Sequence, residues 1–377
     1  MNILIISEFF PLGTNLEFSG GVEARNFFIA KHLAKKHNVT IITSRLPGSL
    51  AAEKIFGFKV IRVGNQKYRA GIGSAISRMR FIKEAISVGK KQNADIVEGT
   101  NFITHFVALK IAGHHKVPCV AWYPDVWVGD WFKNAGWIGI FGEILERYNL
   151  SQKYNAYIAI SKQTAEKLSK LVNIKPLIIP CGVDEAEFKL KVENPKTSQI
   201  ITISRLVKYK NIRDLILAVA LLRKSSIKVN LKIIGTGPEE KRLQQLVTSL
   251  KLGPCVSFDS NLSRRELLRN LKASSVFCLP SSVEGFGISV LEACAAGIPC
   301  ALSDLEVFGE ITHNWKGSLV FPVHDIYKMK TQLKTLLTDK KIIAQKEKEA
   351  LALAKLYSWE GIAGQTEKVY KSVLNKK

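Results

Sequence analysis

Short β-branched runs alternate with helical stretches along the whole chain, and the series starts twice. Strands read at Asn2–Ser7, Asn38–Thr43, Phe58–Val63, Asp95–Glu98, Val117–Trp122, Ala156–Ile160 and Leu177–Ile179. They resume at Gln199–Ser204, then Val229–Ile234, Val256–Asp259, Ser275–Leu279, Cys300–Ser303 and Trp315–Phe321. Strands separated by helices give βαβ units and parallel sheets. A chain of 377 residues is long for one such core and suits two. The polar stretch Glu185 to Thr197 is the expected linker. The expected domains are therefore 1–185 and 186–358, two Rossmann-like halves, followed by a last helix from Trp359. Val22–Lys36 reads as an amphipathic helix in the first half.

Composition narrows the class. The chain is 46% hydrophobic and 23% charged, as soluble globular proteins are. Met1–Ser7 has no basic n-region or small-residue cleavage site, so it reads as a strand rather than a secretory signal. No apolar stretch approaches the roughly 20 residues of a membrane span. The six cysteines form no CxxC pair and sit mostly in apolar runs, which implies buried thiols in a reducing, cytoplasmic compartment. The formal charge is +23 and is spread over both halves: 24 − 14 = +10 for residues 1–185 and 31 − 18 = +13 for the rest. Such an excess attracts anionic lipid, nucleic acid or phosphorylated ligands, although solvated faces alone also produce it.

The chemistry concentrates in Pro280-Ser-Ser-Val-Glu284-Gly285-Phe286-Gly287-Ile288-Ser-Val-Leu-Glu292-Ala-Cys-Ala-Ala-Gly-Ile-Pro299. A buried strand gives way to a Gly-rich turn and then to a small-residue helix. Such a turn offers free N–H groups and the positive end of a helix dipole to an anion. Glu284 and Glu292 add carboxylates that can accept hydrogen bonds from sugar or ribose hydroxyls. Arg205 and Lys210 stand between a strand end and the helix Ile212–Arg223, a place suited to a diphosphate. Gly235-Thr-Gly237-Pro is another Gly-rich strand-to-helix turn, without the third glycine of a dinucleotide fingerprint. Ser263-Arg264-Arg265-Glu266 reads as a capping box.

In the first half, Gly20-Gly21 opens a helix. Trp122-Tyr-Pro-Asp125-Val-Trp-Val-Gly-Asp130 follows a strand, where ligands of open α/β sheets collect. Lys67–Lys91 carries seven basic residues and one acid, Glu84, among apolar residues at helical spacing. That pattern suits a helix lying on an anionic membrane, or a core helix with a solvated basic face.

Gly20-Gly21, Ser204-Arg205-Leu206 with Lys210, Gly235-Thr-Gly237-Pro, Glu284-Gly-Phe-Gly with Glu292 and Gly297-Ile-Pro299, and Ser358-Trp359-Glu360 together resemble glycosyltransferase family 4 over essentially the full length. The resemblance implies an α/β, GT-B fold, in which two Rossmann-like domains with parallel sheets face a central cleft. The first domain takes the acceptor, the second the nucleotide sugar, and the helix 359–377 packs back on the first. It implies retaining, metal-independent transfer of a hexose from GDP-mannose or a UDP-sugar, with no cofactor. Glu292 then corresponds to the ribose-binding acid and Glu284 to the acid at the donor sugar. Gly285, Phe286, Gly287 and Ile288 form the backbone around sugar and phosphate. Arg205 and Lys210 stabilise the departing diphosphate, and Gly20, Gly21 and Gly235 line the donor. The acceptor hydroxyl attacks from the leaving-group face and a phosphate oxygen takes its proton; covalent catalysis by Glu284 is the alternative. Many members carry a histidine after the strand matching Val117–Trp122. Here Trp122-Tyr-Pro124-Asp125 has none, and Asp125 is expected to take over its orienting role.

The expected acceptor is a lipid-linked glycan, glycolipid or surface polysaccharide at the cytoplasmic face of an anionic membrane. The alternatives are a soluble transferase acting on a small sugar, sugar phosphate or glucan, and a non-catalytic sugar-binding protein. A nucleic-acid-binding protein is disfavoured, because the basic residues match no recognised module.

Overall fold

The computed structural model describes residues 1–13, 18, 20–65, 75–132, 136–189 and 198–375. They form two compact units, Met1–Cys181 with Trp359–Lys377, and Gly182–Ser358.

The first unit is built on an eight-stranded sheet of order β3-β4-β2-β1-β5-β6-β7-β8. Its strands are β1 (Asn2–Ile6), β2 (Asn38–Ser44), β3 (Ala52–Ile55), β4 (Phe58–Val63), β5 (Ile96–Gly99), β6 (Cys119–Tyr123), β7 (Ala156–Ala159) and β8 (Leu177–Ile178). Its helices are α1 (Gly21–Leu33), α2 (Ala75–Gly89), α3 (Phe102–His115), α4 (Gly139–Ser151) and α5 (Lys162–Ser169), with the last helix of the chain, Trp359–Leu374. On β1, Leu4 and Ile6 join the core that holds Phe81 and Ala85 of α2 and Val107 and Ile111 of α3. Alternation along a strand leaves Ile3 and Ile5 for the other face.

Strand β3 was not legible, and it breaks the all-parallel expectation. It pairs antiparallel with β4 at the sheet edge, every other strand pair among the described residues being parallel. Its sequence, Ala-Glu-Lys-Ile, is too polar to announce a strand. The hairpin turns on Phe56 and Gly57, at φ 46° and 89°. Two positive φ values are what a two-residue turn between twisted strands requires.

Helix α1 differs from its expected amphipathic form. Phe27, Phe28 and Ile29 are buried, and so are Glu23, Arg25 and Asn26. The last helix packs on it, with Trp359 stacked on Phe28 at 5.0 Å between ring centroids. The polar side of α1 is therefore internal and must find partners inside. Arg25 ion-pairs with Glu98 of β5, and Tyr370 of the last helix donates to Glu98 Oε2 at 2.8 Å. Burial works against the charge on Arg25, and Glu98 more than offsets it, so its pKa is raised.

The second unit has a six-stranded parallel sheet of order β11-β10-β9-β12-β13-β14. Its strands are β9 (Gln199–Ile203), β10 (Asn230–Ile234), β11 (Val256–Asp259), β12 (Val276–Leu279), β13 (Cys300–Ser303) and β14 (Ser318–Phe321). Its helices are α6 (Ile212–Lys224), α7 (Glu240–Ser249), α8 (Arg264–Lys272), α9 (Ile288–Ala295), α10 (Glu306–Ile311), α11 (Ile326–Thr338) and α12 (Lys340–Ala354); the last helix, in the first unit, is α13. Leu231 and Ile233 of β10, Leu215 and Val219 of α6 and Leu333 of α11 share one core. The stretch read as a linker divides differently. Glu185–Phe188 is a 3₁₀ turn of the second unit, and 190–197 lie outside the described residues, as do Lys67 and Arg69.

All six cysteines are buried free thiols. Among the described residues no helix is long and apolar enough to cross a membrane. The Arg25–Glu98–Tyr370 group generates a prediction. Tyr370→Phe removes one bond to a buried carboxylate and is expected to lower unfolding stability by about 1.5–3 kcal/mol, measured by urea titration.

Candidate functional site

Strand order in the second sheet reverses beside β9. The chain runs from β9 to β10 and β11 on one side, then returns to place β12, β13 and β14 on the other. Where order reverses, the loops leaving two neighbouring strands diverge and open a crevice at their carboxyl ends. Arg205 and Lys210 leave β9, and Glu284 to Ile288 leave β12, so both groups flank this point.

Backbone contacts fix the two loops together. Ser282 N–H donates to the Tyr209 carbonyl at 2.8 Å, and Asn211 Nδ2 donates to the Pro280 carbonyl at 3.0 Å. Lys210, 7% exposed, consequently reaches Glu284 and ion-pairs with it. The Ser281 hydroxyl donates to the same carboxylate oxygen at 3.4 Å. Arg205 stays exposed, its guanidinium donating to the Tyr209 hydroxyl at 2.5 Å.

Gly235 serves this loop from behind. Its φ is +142°, and a Cβ there would lie 1.9 Å from the Ser204 carbonyl oxygen. The turn after β10 is pressed against the start of the Arg205 loop, where Leu206 N–H donates to the Thr236 carbonyl at 2.8 Å. Only glycine permits that approach.

Helix α9 begins after Gly287, which has φ 95° and provides no side-chain cap. The first N–H groups of α9 are thus offered to an external acceptor. Gly285 lies in the bend before it and Ile288 is its first, half-buried residue. Phe286 is 3% exposed and meets Tyr357 edge-on, which anchors the turn. Glu292 follows on α9, 8% exposed.

Arg264, read in the sequence only as part of a capping box, ion-pairs with Glu292. It also binds Glu187 at 2.8 Å, while Ser263 and Glu266 do form the capping box. Burial disfavours the Arg264 charge, but its two carboxylate partners outweigh burial and raise its pKa. Only strand order brings α8, α9 and the 3₁₀ turn together, so spacing carried no sign of it. Each carboxylate of the Glu284/Glu292 pair therefore has its own cation.

In the first unit the expected residues have local roles. Gly20 is the exposed N-cap of α1 at φ −178°, an extended conformation open to any residue. Among the described residues, its chain neighbours and own helix backbone aside, no atom lies within 4 Å of where its Cβ would be, and Gly21 is the first helical residue. Asp125 is engaged by its own loop and by α5. Its carboxylate accepts from Val126 N–H at 2.8 Å, from Trp127 Nε1 at 3.1 Å and from Lys167 Nζ at 3.0 Å. His105 is wholly buried, and desolvation lowers its pKa to about 4, so it is a neutral core residue. Glu146, 2% exposed, accepts from Trp131 Nε1 at 2.6 Å. Burial pushes its carboxyl up to about 7 against that hydrogen bond, with nearby Asp125 adding to the rise.

Two family models divide the chain. The model for glycosyl transferases group 1 matches residues 183–352, and that for Glycosyltransferase Family 4 matches 19–187. The chain belongs to this glycosyltransferase family. Glycogen synthase from Mycobacterium tuberculosis is 23% identical over 310 residues, 79% of this chain and 74% of that protein. Among solved structures, sucrose-phosphate synthase from Thermosynechococcus elongatus superposes with a TM-score of 0.85, at 19% identity over the whole of both chains. Anabaena HepE in complex with UDP-glucose gives 0.78 at 17% identity, covering 99% of this glycosyltransferase and 100% of HepE. The fold of this glycosyltransferase is GT-B, an α/β architecture with two sheets whose strands are parallel apart from β3.

Two predictions follow from the buried charges. Arg264→Met strands Glu292 and Glu187 without their cation, and losing one partner of such a group costs about 3–5 kcal/mol; the urea midpoint should fall accordingly. Glu146 carries the opposite sign of dependence from a paired carboxylate. With its pKa raised from 4.5 to about 7, its stabilising contribution is complete below pH 4.5 and is lost as pH rises through 7. Glu146→Gln should flatten that part of the fall in thermal midpoint, read by circular dichroism at a series of pH values.

Proposed function

We propose that this glycosyltransferase moves a hexose, with retention of anomeric configuration and without a metal, from a nucleoside diphosphate sugar to a glycan or lipid-linked acceptor. The carrying observation is the switch point of the second sheet, where Arg205, the Lys210–Glu284 pair and the uncapped start of α9 stand together. These groups suit a diphosphate that gains negative charge as the bond to the anomeric carbon breaks. Arg205 and Lys210 neutralise that charge, and the α9 N–H groups behind Gly287 add hydrogen bonds. Glu284, set beside Lys210, lies at the sugar end of the diphosphate. Glu292, fixed by Arg264, accepts the ribose hydroxyls. The acceptor hydroxyl attacks from the face the diphosphate leaves, and a phosphate oxygen takes its proton, which requires no protein base.

HepE, solved with UDP-glucose, supports a nucleotide-sugar donor, and GDP-mannose and UDP-hexoses are the donors to screen. Gly20-Gly21, at the start of α1, leaves N–H groups without a side-chain cap, an arrangement suited to an anion. Asp125 positions the loop after β6 and through it the acceptor side. The acceptor is taken at the surface of an anionic membrane on the cytoplasmic side.

Saturation-transfer NMR against a nucleotide-sugar panel should select one donor. Lys210→Gln and Glu292→Gln should each lower kcat/KM for that donor at least about 100-fold with far-ultraviolet circular dichroism unchanged. Wild-type turnover in either variant removes the site.

A further inference from the structure

Helix α4 carries large apolar residues on its solvent side. The residues it buries are Gly139, Gly142, Glu146, Asn149 and Leu150. Its outward face carries Phe141 at 78% exposure and Ile144 at 62%, with Ile140 and Tyr148 also exposed. Positions 140, 141, 144 and 148 share one side of a helix. Trp137, in the preceding 3₁₀ turn, is 78% exposed and packs edge-on against exposed Phe132.

The inward side puts Leu150 in the core with Leu145 packed against it, and the rest of it is held by close backbone approach and polar contacts. A Cβ at Gly139 would lie 2.3 Å from the Trp131 carbonyl oxygen, and one at Gly142 2.5 Å from the Trp131 ring. The same indole donates to Glu146, and Asn149 Nδ2 donates to the Phe102 carbonyl at 2.6 Å. Folding of this unit therefore does not explain why the outer face is apolar. A continuous exposed patch of large apolar residues marks a surface that meets something else.

The neighbourhood indicates what it meets. Both α2 and α4 pack on α3, so all three cover one side of the sheet. Glu8 joins the starts of α2 and α3, accepting from Arg78 and Asn101. The first turns of α2 expose Ile76 and Met79, with Arg80 and Lys83 also exposed. On α3, Lys110 lies over Phe106, which in turn meets Tyr148. Lys110 thus borders the apolar ridge through Phe106, while Lys83 and Arg80, the latter paired with Glu84, lie on α2 across α3.

We propose that this face, centred on α4, is the docking surface of the enzyme for an anionic lipid bilayer. Aromatic and branched aliphatic side chains on one helix face, with a basic border, are the composition that inserts into an anionic headgroup layer. A second copy of this chain fits less well. A two-fold contact would set the same cations against themselves, in a chain of formal charge +23. The inference deepens the proposed function and rests on it for the lipid-borne acceptor, while vesicle binding itself is independent of transfer.

The test is cosedimentation of the full chain with phosphatidylcholine vesicles, with and without phosphatidylglycerol. Wild type should bind the anionic vesicles and be released by salt. Phe141→Glu/Ile144→Glu, two exposed positions, should weaken binding at least about tenfold with the thermal midpoint retained. Arg80→Glu/Lys83→Glu should weaken only the anionic component. Unchanged vesicle binding by the Phe141/Ile144 variant overturns the proposal. So does a wild type that ignores vesicles and sediments as a dimer which this variant dissociates. Donor binding, followed by NMR on the same samples, separates failure of the docking surface from failure of the transferase reading.

Discussion

Strand β9 is buried at the centre of its sheet, and the chain must leave it in one direction and come back to it from the other. This puts the ends of β9 and β12 side by side with no helix between them. The Lys210–Glu284 pair uses that gap. Lys210 comes from one loop and Glu284 from the other; the Tyr209 carbonyl and the Asn211 amide pin the loops to each other. The turn after β10 buttresses the first loop, and glycine at 235 is the condition for its close approach. A chain with the same residues and a different strand order would scatter them.

The ion pairs are better understood as devices of placement than of stability. Removing two charges from water costs about as much as their attraction returns. Arg264 nonetheless holds two carboxylates, one on α9 and one on a 3₁₀ turn. The same holds in the first unit, where Arg25, Glu98 and Tyr370 join α1, β5 and α13. In both units a buried arginine ties together segments that are far apart in sequence, and its removal leaves a carboxylate with nowhere to go.

The sequence revealed elements whose signal is local. Strands such as Val276–Leu279 are unbroken apolar runs, and the Glu284–Gly287 turn and its helix follow from glycine and small residues in order. It did not reveal what depends on a partner distant in the chain. Arg264 reads as a capping residue until strand order sets it beside Glu292. Val22–Lys36 looks amphipathic because a sequence cannot show α13 arriving to cover the polar side. Strand β3 was lost because an edge strand avoids the apolar signature by which strands are found. Asp125, conspicuous after β6, turns out to be held by Val126, Trp127 and Lys167. The basic stretch 67–91 drew attention to α2, while the larger apolar exposure lies on α4, where Glu143, Glu146 and Arg147 interrupt the pattern.

The six buried thiols have a practical consequence. Desolvation raises the pKa of Cys119, Cys278 and Cys300, and pushes Cys181 up to about 12. At neutral pH these carry almost no thiolate, the form that reacts with maleimides and other alkylating labels. A single cysteine introduced on the surface of either unit would therefore stand out chemically against the native background. Spectroscopic probes could be attached to the otherwise unaltered chain at one chosen site, and the response of that unit's own surface followed as nucleotide sugar is added.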